Sequence, residues 1–169
     1  MRKIYVIGHA QHGKTTVAKM LSNILECTYA DSSLFVIDTV VRPYLEKHRG
    51  LIYRSSEAAH ADRNRCRPEW KDAIEEYNSA DASRLSRDIF SKHRIYCGCR
   101  TAREYLAGSQ ALNAIGIYVD ASERVEKRDE TFGISVSMAD VVLDNSWHIN
   151  YTEKRLMEIV SDFKLTKGN

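Results

Sequence analysis

The chain has 169 residues, 43% of them hydrophobic and 28% charged, with a formal net charge of +2. That length suits one domain, residues 1–169, with a full core. The balance excludes a disordered polyelectrolyte, and no apolar run approaches the ~18 residues of a membrane span. The chain goes straight into a strand, and no signal peptide is expected. The four cysteines (Cys27, Cys66, Cys97, Cys99) lack zinc spacing, and Cys97-Gly98-Cys99 is not C-x-x-C. Reduced thiols and a cytoplasmic location are the expectation.

Lys3 to Ile7 reads as a short buried strand. Gly8-His9-Ala10-Gln11-His12-Gly13-Lys14-Thr15-Thr16 comes next and fits G-x-x-x-x-G-K-[ST], the phosphate-binding P-loop. Thr15 to Leu25 reads as a helix with Val17, Leu21 and Leu25 on one face. Strand, loop and helix in that order place free N–H groups of a helix start against an anion. The motif therefore predicts that residues 8–16 bind a nucleoside triphosphate, ATP. Lys14 would reach the β- and γ-phosphates, and the Thr15 hydroxyl would hold Mg²⁺. His9 and His12 lie where side chains face away from phosphate and are assigned no chemistry.

Cys27 to Ala30 is a plausible second strand, trailed by Asp31-Ser32-Ser33. A helix from Leu34 would bury Leu34, Ile37, Val41 and Leu45, and Pro43 should kink or end it. Arg42 to Lys71 is irregular and basic, with eight Lys/Arg against four acids. Ser55-Ser56-Glu57 starts a helix ending near Cys66. Pro68 suits the first turn of the next, with Trp70, Ile74 and Tyr77 along one side. Asp81 resembles an N-cap for a helix carrying Leu85 and Ile89. Arg94 to Cys99 is the third strand, and Thr101 caps a short helix through Leu106. Ala114 to Val119 is the fourth strand, Asp120 to Arg128 a charged helix or turn, and Ala139 to Leu143 the fifth strand. A last helix runs from about Thr152 to Phe163, burying Leu156, Ile159, Val160 and Phe163, and the tail from Lys164 is expected to fray.

Strands alternating with helices predict an α/β class domain, a three-layer P-loop NTPase fold. Its five-stranded parallel sheet carries a helical insert, about 42–93, between strands 2 and 3. Ligands then gather at the carboxyl ends of the strands, where the P-loop, Asp31, Arg100, Asp120 and Asp144 fall. With these features in view the chain resembles small P-loop kinases of the nucleoside monophosphate kinase group, and most of all phage deoxynucleotide monophosphate kinases. Cys99-Arg100-Thr101-Ala102-Arg103-Glu104 after the third strand and Asp144-Asn145 after the fifth carry that likeness. Phage 5-hydroxymethyluracil DNA kinases share the core. The resemblance implies ATP and Mg²⁺ as cofactors, Asn145 on the nucleotide side, and a host-cell cytoplasmic setting.

Two departures stand out. The third strand ends in Cys97-Gly98-Cys99 and lacks a Walker B Asp, so Mg²⁺ would rest on Thr15 with Asp31 nearby. The segment from Asp120 to Ala139 is too short for a large lid, leaving Arg124, Lys127 and Arg128 as a reduced one.

The acceptor turns on Asp31. A monophosphate acceptor is already anionic and needs no base; an alcohol loses a proton and gains from a nearby carboxylate. The resemblance to polynucleotide kinase-like enzymes makes Asp31 that base; its other use is capping the next helix. The basic insert with His48, Tyr53, His60 and Trp70 suits a polyanion, or it is a solvated face paired with Asp72, Glu75, Glu76 and Asp81. Arg103 is either a phosphate clamp or a surface ion pair. Taken together, these residues predict an enzyme, an ATP-dependent kinase. Lys14, Asp31, Arg100, Arg124 and Arg128 are catalytic, and Thr15 and Asp31 hold the metal. The resemblance then implies the hydroxymethyl group of 5-hydroxymethyluracil in DNA as the expected acceptor, with a free deoxynucleoside monophosphate as the alternative. A nucleotide switch is disfavoured, since no N-K-x-D element is present. The sequence leaves homo-oligomer formation open.

Overall fold

The computed structural model describes residues 1–126 and 132–167. Five parallel strands form one sheet: β1 (Ile4–Ile7), β2 (Tyr29–Asp31), β3 (Ile95–Cys97), β4 (Ile115–Asp120) and β5 (Val141–Asp144), in the order β2-β3-β1-β4-β5. β1 sits at the centre, with Ile4 beside both Ile95 of β3 and Ile115 of β4. The chain leaves β1 toward one edge and later crosses to the other, so a crevice opens beyond its carboxyl end.

Side chains of a strand alternate between faces, and here the alternation sorts two cores. Ile4, Val6, Ile95, Cys97, Ile117 and Leu143 pack with Val17 and Leu21 of α1 (Lys14–Leu25) and Leu156 and Ile159 of α8 (Ile149–Asp162). Tyr5, Ile7, Tyr96 and Tyr118 face the other way. They meet the insert helices α2 (Ser32–Phe35), α3 (Arg42–Arg49), α4 (Ser56–Ala61), α5 (Arg67–Tyr77) and α6 (Arg84–Lys92), and then α7 (Ala102–Leu112). Tyr5 makes edge contacts with Phe90 and Tyr105 at ring separations of 4.9 and 5.2 Å, within the range favoured for aromatic pairs. The three layers expected from the alternation of strands and helices are present.

Several local expectations are corrected. The run from Leu34 is not one helix: a π turn at Ile37–Val41 separates α2 from α3, with Val41 N–H bonded to Val36 O at 2.9 Å. The extra residue per turn rotates the chain beyond it, so Ile37, Val41 and Leu45 are buried while Leu34 is 59% exposed. Pro43, lacking an N–H, falls in the first turn of α3 and starts that helix rather than ending it. Asp81 is not the N-cap of α6. Its carboxylate takes the Ser83 N–H and hydroxyl at 2.9 and 2.7 Å, and Asn78 Oδ1 takes the Leu85 N–H at 3.0 Å. α7 passes Leu106 and ends at Leu112, capped as expected by Thr101, whose hydroxyl accepts the Glu104 N–H at 3.3 Å. The tail does not fray at Lys164: Leu165 is buried, and the Thr166 carbonyl accepts from Arg94 at 2.6 Å. Among the described residues no helix is long and apolar enough to cross a membrane.

Candidate active site

The loop between β1 and α1 wraps at the carboxyl end of β1. Gly8 and Gly13 hold φ of +139° and +85°, a region that costs L side chains strain. Space is as restrictive as the backbone. A Cβ on Gly8 would lie 2.4 Å from Val119 O, and one on Gly13 would lie 2.3 Å from Asn145 Nδ2. Gln11, exposed, also has positive φ, and Ala10 is half-buried. Lys14 opens α1, and its ammonium donates to His9 O at 2.5 Å. Thr15 and Thr16 lie on the first turn of α1, both exposed.

His12 is fully buried, and its Nδ1 accepts the Ala121 N–H at 3.0 Å. The His9 ring packs edge-on to Phe132, with centroids 4.9 Å apart. Both rings pack the loop against neighbouring elements. Asn145, buried after β5, bonds at both ends of its amide. Its Nδ2 donates to His12 O at 2.9 Å and its Oδ1 accepts from Thr152 Oγ1 at 2.8 Å. Through these two bonds Asn145 ties the loop to α8. Arg124, on the turn after β4, donates through Nε to Asn145 O at 3.1 Å, at the same edge as the P-loop. The sequence between β4 and residue 126 is a turn, not a helix. Lys127 and Arg128 lie outside the described residues.

Asp31 ends β2, and its two oxygens face different ways. Oδ1 accepts the Ser33 N–H at 2.9 Å and the Ser33 hydroxyl at 2.6 Å, which caps α2. Oδ2 lies 3.4 Å from Thr15 Oγ1. One oxygen is held and the other faces the P-loop. Ser33 Oγ also lies 3.3 Å from His60 Nε2 on α4, a link hidden in the sequence because 27 residues separate the partners. Thr15 and Asp31 supply the oxygen donors that Mg²⁺ prefers. Cys97 occupies the end of β3 beside them. Burial and the Asp31 charge push its thiol up to about 12, so it is a neutral thiol and no ligand for a hard cation.

Beyond Asp31 a cleft opens, lined by Ser32, Ser33 and Gly98 at its inner end. Arg63, Arg67, Lys71 and Arg100 line it with Trp70, Ile74 and Glu104. Ser32 closes the inner end by donating to Gly98 O at 3.0 Å. Arg100, after β3, lines this cleft together with residues of the insert. Arg103 turns toward Ser79, whose carbonyl lies 3.5 Å from its Nη2, and lines a side cavity instead. Glu104 is a site residue that sequence reasoning misses. It is only 3% exposed, and its Oε1 accepts from Tyr96 OH at 2.7 Å and Ser86 Oγ at 3.3 Å. Burial pushes its pKa up to about 7 against the pull of those hydroxyls.

Several of the insert's cations are paired with nearby acids. Arg42 pairs with Asp38 at 2.7 Å, Lys47 with Glu76 at 3.5 Å, Arg65 with Asp62 at 3.4 Å and Lys71 with Glu75 at 3.6 Å. Arg49 pairs with Glu69. The solvated, ion-paired face describes these residues better than a polyanion track. All four cysteines are free thiols, and the described residues hold no cluster of three or more His, Cys, Asp or Glu fit for a metal ion.

No family model matches the sequence, and no curated protein matches it either. Solved structures do match the fold. A sugar kinase from Janibacter sp. HTCC2649, solved without ligand, superposes with a TM-score of 0.52 at 15% identity, covering 98% of this chain and 95% of its own. Shikimate kinase from Aquifex aeolicus vf5 gives 0.54 at 18% identity, covering 98% and 99%. At those identities the likeness establishes a P-loop kinase-like fold and does not select among acceptors.

Proposed function

We propose that the chain is a P-loop kinase that passes the γ-phosphoryl group of ATP to a hydroxyl oxygen of a compact, anionic acceptor. The observation that carries this reading is Asp31, with Oδ1 fixed by Ser33 and Oδ2 3.4 Å from the Thr15 hydroxyl. A carboxylate held at that place takes the proton an alcohol must shed. Lys14 and the loop amides hold the triphosphate, and Arg124 adds charge from the β4 side. Thr15, with Asp31 beside it, would hold Mg²⁺, which neutralises phosphate charge when bound. Phosphoryl transfer of this kind is mostly positioning and electrostatics, which is what these residues supply.

The cleft's arginines support an acceptor with its own anion. Arg63 and Arg100 are half-buried and share the cleft with Arg67; a planar guanidinium binds phosphate or carboxylate bidentately. The ion pairs on the outer insert favour a small acceptor over a long polymer. A hydroxymethylated deoxynucleotide and a hydroxy acid of the shikimate type both meet these terms. The hydroxymethyl group of 5-hydroxymethyluracil within DNA remains a second reading, favoured by Asp31 and weakened by the paired cations. A deoxynucleoside monophosphate accepting on its phosphate is the third, favoured by the arginines alone.

Incubation with γ-labelled ATP separates them. The panel is 5-hydroxymethyluracil DNA, the deoxynucleoside monophosphates, 5-hydroxymethyl-deoxyuridine monophosphate, shikimate and simple sugars. Label on a small hydroxylated acid or nucleotide is the expected result. Label in DNA that falls steeply with salt supports the second reading, labelled deoxynucleoside diphosphate the third. Hydrolysis alone overturns the kinase assignment.

A further inference from the structure

Glu104 sets a problem that packing alone does not answer. It sits in the first turn of α7, 3% exposed, at the wall of the cleft. A buried carboxyl without a cation is costly, and a glutamine there would satisfy Tyr96 and Ser86 without that cost. Both of those hydroxyls reach the same oxygen, Oε1. Among the described residues no N–H or O–H donates to Oε2, although a carboxylate offers about four lone-pair sites. The other neighbour of the carboxyl is the Cys99 thiol, a weak donor. The two hydroxyls on Oε1 fix the carboxyl plane and present Oε2 as a ready-made acceptor.

We infer that Glu104 is the specificity-determining group of the acceptor cleft. Its Oε2 accepts a hydrogen bond from a single N–H or O–H donor on an acceptor whose anionic end lies against Arg63, Arg67 and Arg100. This deepens the kinase reading and rests on it. The charge pattern demands a two-ended molecule. An anion placed against a carboxylate is repelled, so the acceptor's phosphate or carboxylate belongs on the arginines and its donor on Glu104. A guanine-like edge with two parallel donors would need both carboxylate oxygens, and one is already taken. A lone imide N–H of a pyrimidine or a ring alcohol fits, with Trp70 and Ile74 as the apolar wall.

Isothermal calorimetry on the full chain without ATP, run well above pH 7 so that Glu104 carries its charge, tests this, with thymidine 5′-monophosphate as the imide probe, shikimate as the alcohol probe and ADP as reference. One acceptor probe is expected to bind wild type. Glu104→Gln turns an N–H toward the probe's donor and should weaken that binding at least tenfold, with ADP affinity within twofold. Tyr105→Phe, which removes the bond from Tyr105 OH to Met138 O on another side of α7, serves as the stability control and should leave probe affinity within twofold. The inference is overturned if Glu104→Gln binds like wild type, or if Tyr105→Phe weakens binding equally. It is also overturned if wild type binds ADP but neither probe. Failure of wild type to bind ADP is a different result and sinks the kinase reading. Phosphorylation of an acceptor with no dependence on Glu104 leaves that reading standing and removes this one.

Discussion

The P-loop is fastened to the rest of the molecule by its own backbone and by two buried side chains, His12 and Asn145, tied to the ends of β4 and β5. The acceptor cleft is walled by side chains from α2, α5, the β3–α7 connection and α7, several of which hang from a π turn and short helices. The donor side is thus a rigid cradle made from one contiguous segment. The acceptor side is an assembly of distant pieces, whose chemistry is set by which side chains converge. Binding of nucleotide and choice of acceptor should therefore respond to different residues.

That division can be broken in several ways. Lys14→Ala is expected to reduce turnover by at least about 10³-fold and to weaken ATP binding, read by initial rates and nucleotide titration. Asp31→Asn should lower kcat by about 10²-fold with ATP affinity unchanged. The amide oxygen of the variant still accepts the Ser33 N–H, so thermal unfolding should move little. Equal loss of ATP binding in both variants would merge the two regions into one.

Glu104 gives a pH test on the acceptor side. Its pKa is raised by burial to about 7 from the ordinary 4.5, so the folded chain holds this proton more tightly than the unfolded one. Its contribution to stability is fully present below pH 4.5 and is lost as pH rises through 7, about 3 kcal/mol in all. The groups facing it, Tyr5, Tyr96 and Cys99, are all pushed further from neutrality, chiefly by burial. Denaturant midpoints of wild type relative to Glu104→Gln should therefore fall between about pH 5 and 8, and a flat difference would contradict the assignment. On the donor side, Asn145→Ala leaves His12 O and Thr152 Oγ1 without their partner and should cost about 2 kcal/mol, with a raised KM for ATP. Smallest of all, Lys47→Ala removes an exposed pair with Glu76. It should shift Tm by less than about 2 °C and leave acceptor KM unchanged.

Legibility in the sequence divides along the same line. The P-loop is a local word whose meaning does not depend on the elements that fold beside it, and the five strands stand out as short apolar runs between turns. Thr101 is recognisable as a cap because its partner, Glu104, is three residues away. Asp31 is visible as an acid at a strand end, but only geometry divides its two oxygens between Ser33 and Thr15. Glu104 has the pattern of an ordinary first-turn helix acid, and nothing nearby in sequence reveals that Ser86 and Tyr96 bury it. The bond from Asn145 to the P-loop at His12 is hidden because 133 residues separate the partners. Leu34 reads as buried because helical periodicity assumes an unbroken helix, and the π turn breaks it.

The π turn also absorbs a residue. A turn closed from residue i to i+5 holds one residue more than an α turn. Closing Ile37–Val41 as plain helix with all its residues would turn the chain beyond it by about 100°, whereas loss of one residue there would let plain helix close the same gap with α3 kept in place. The segment can therefore shed a residue without moving Leu45 out of the core, and Gly8 to Thr16 is untouched either way.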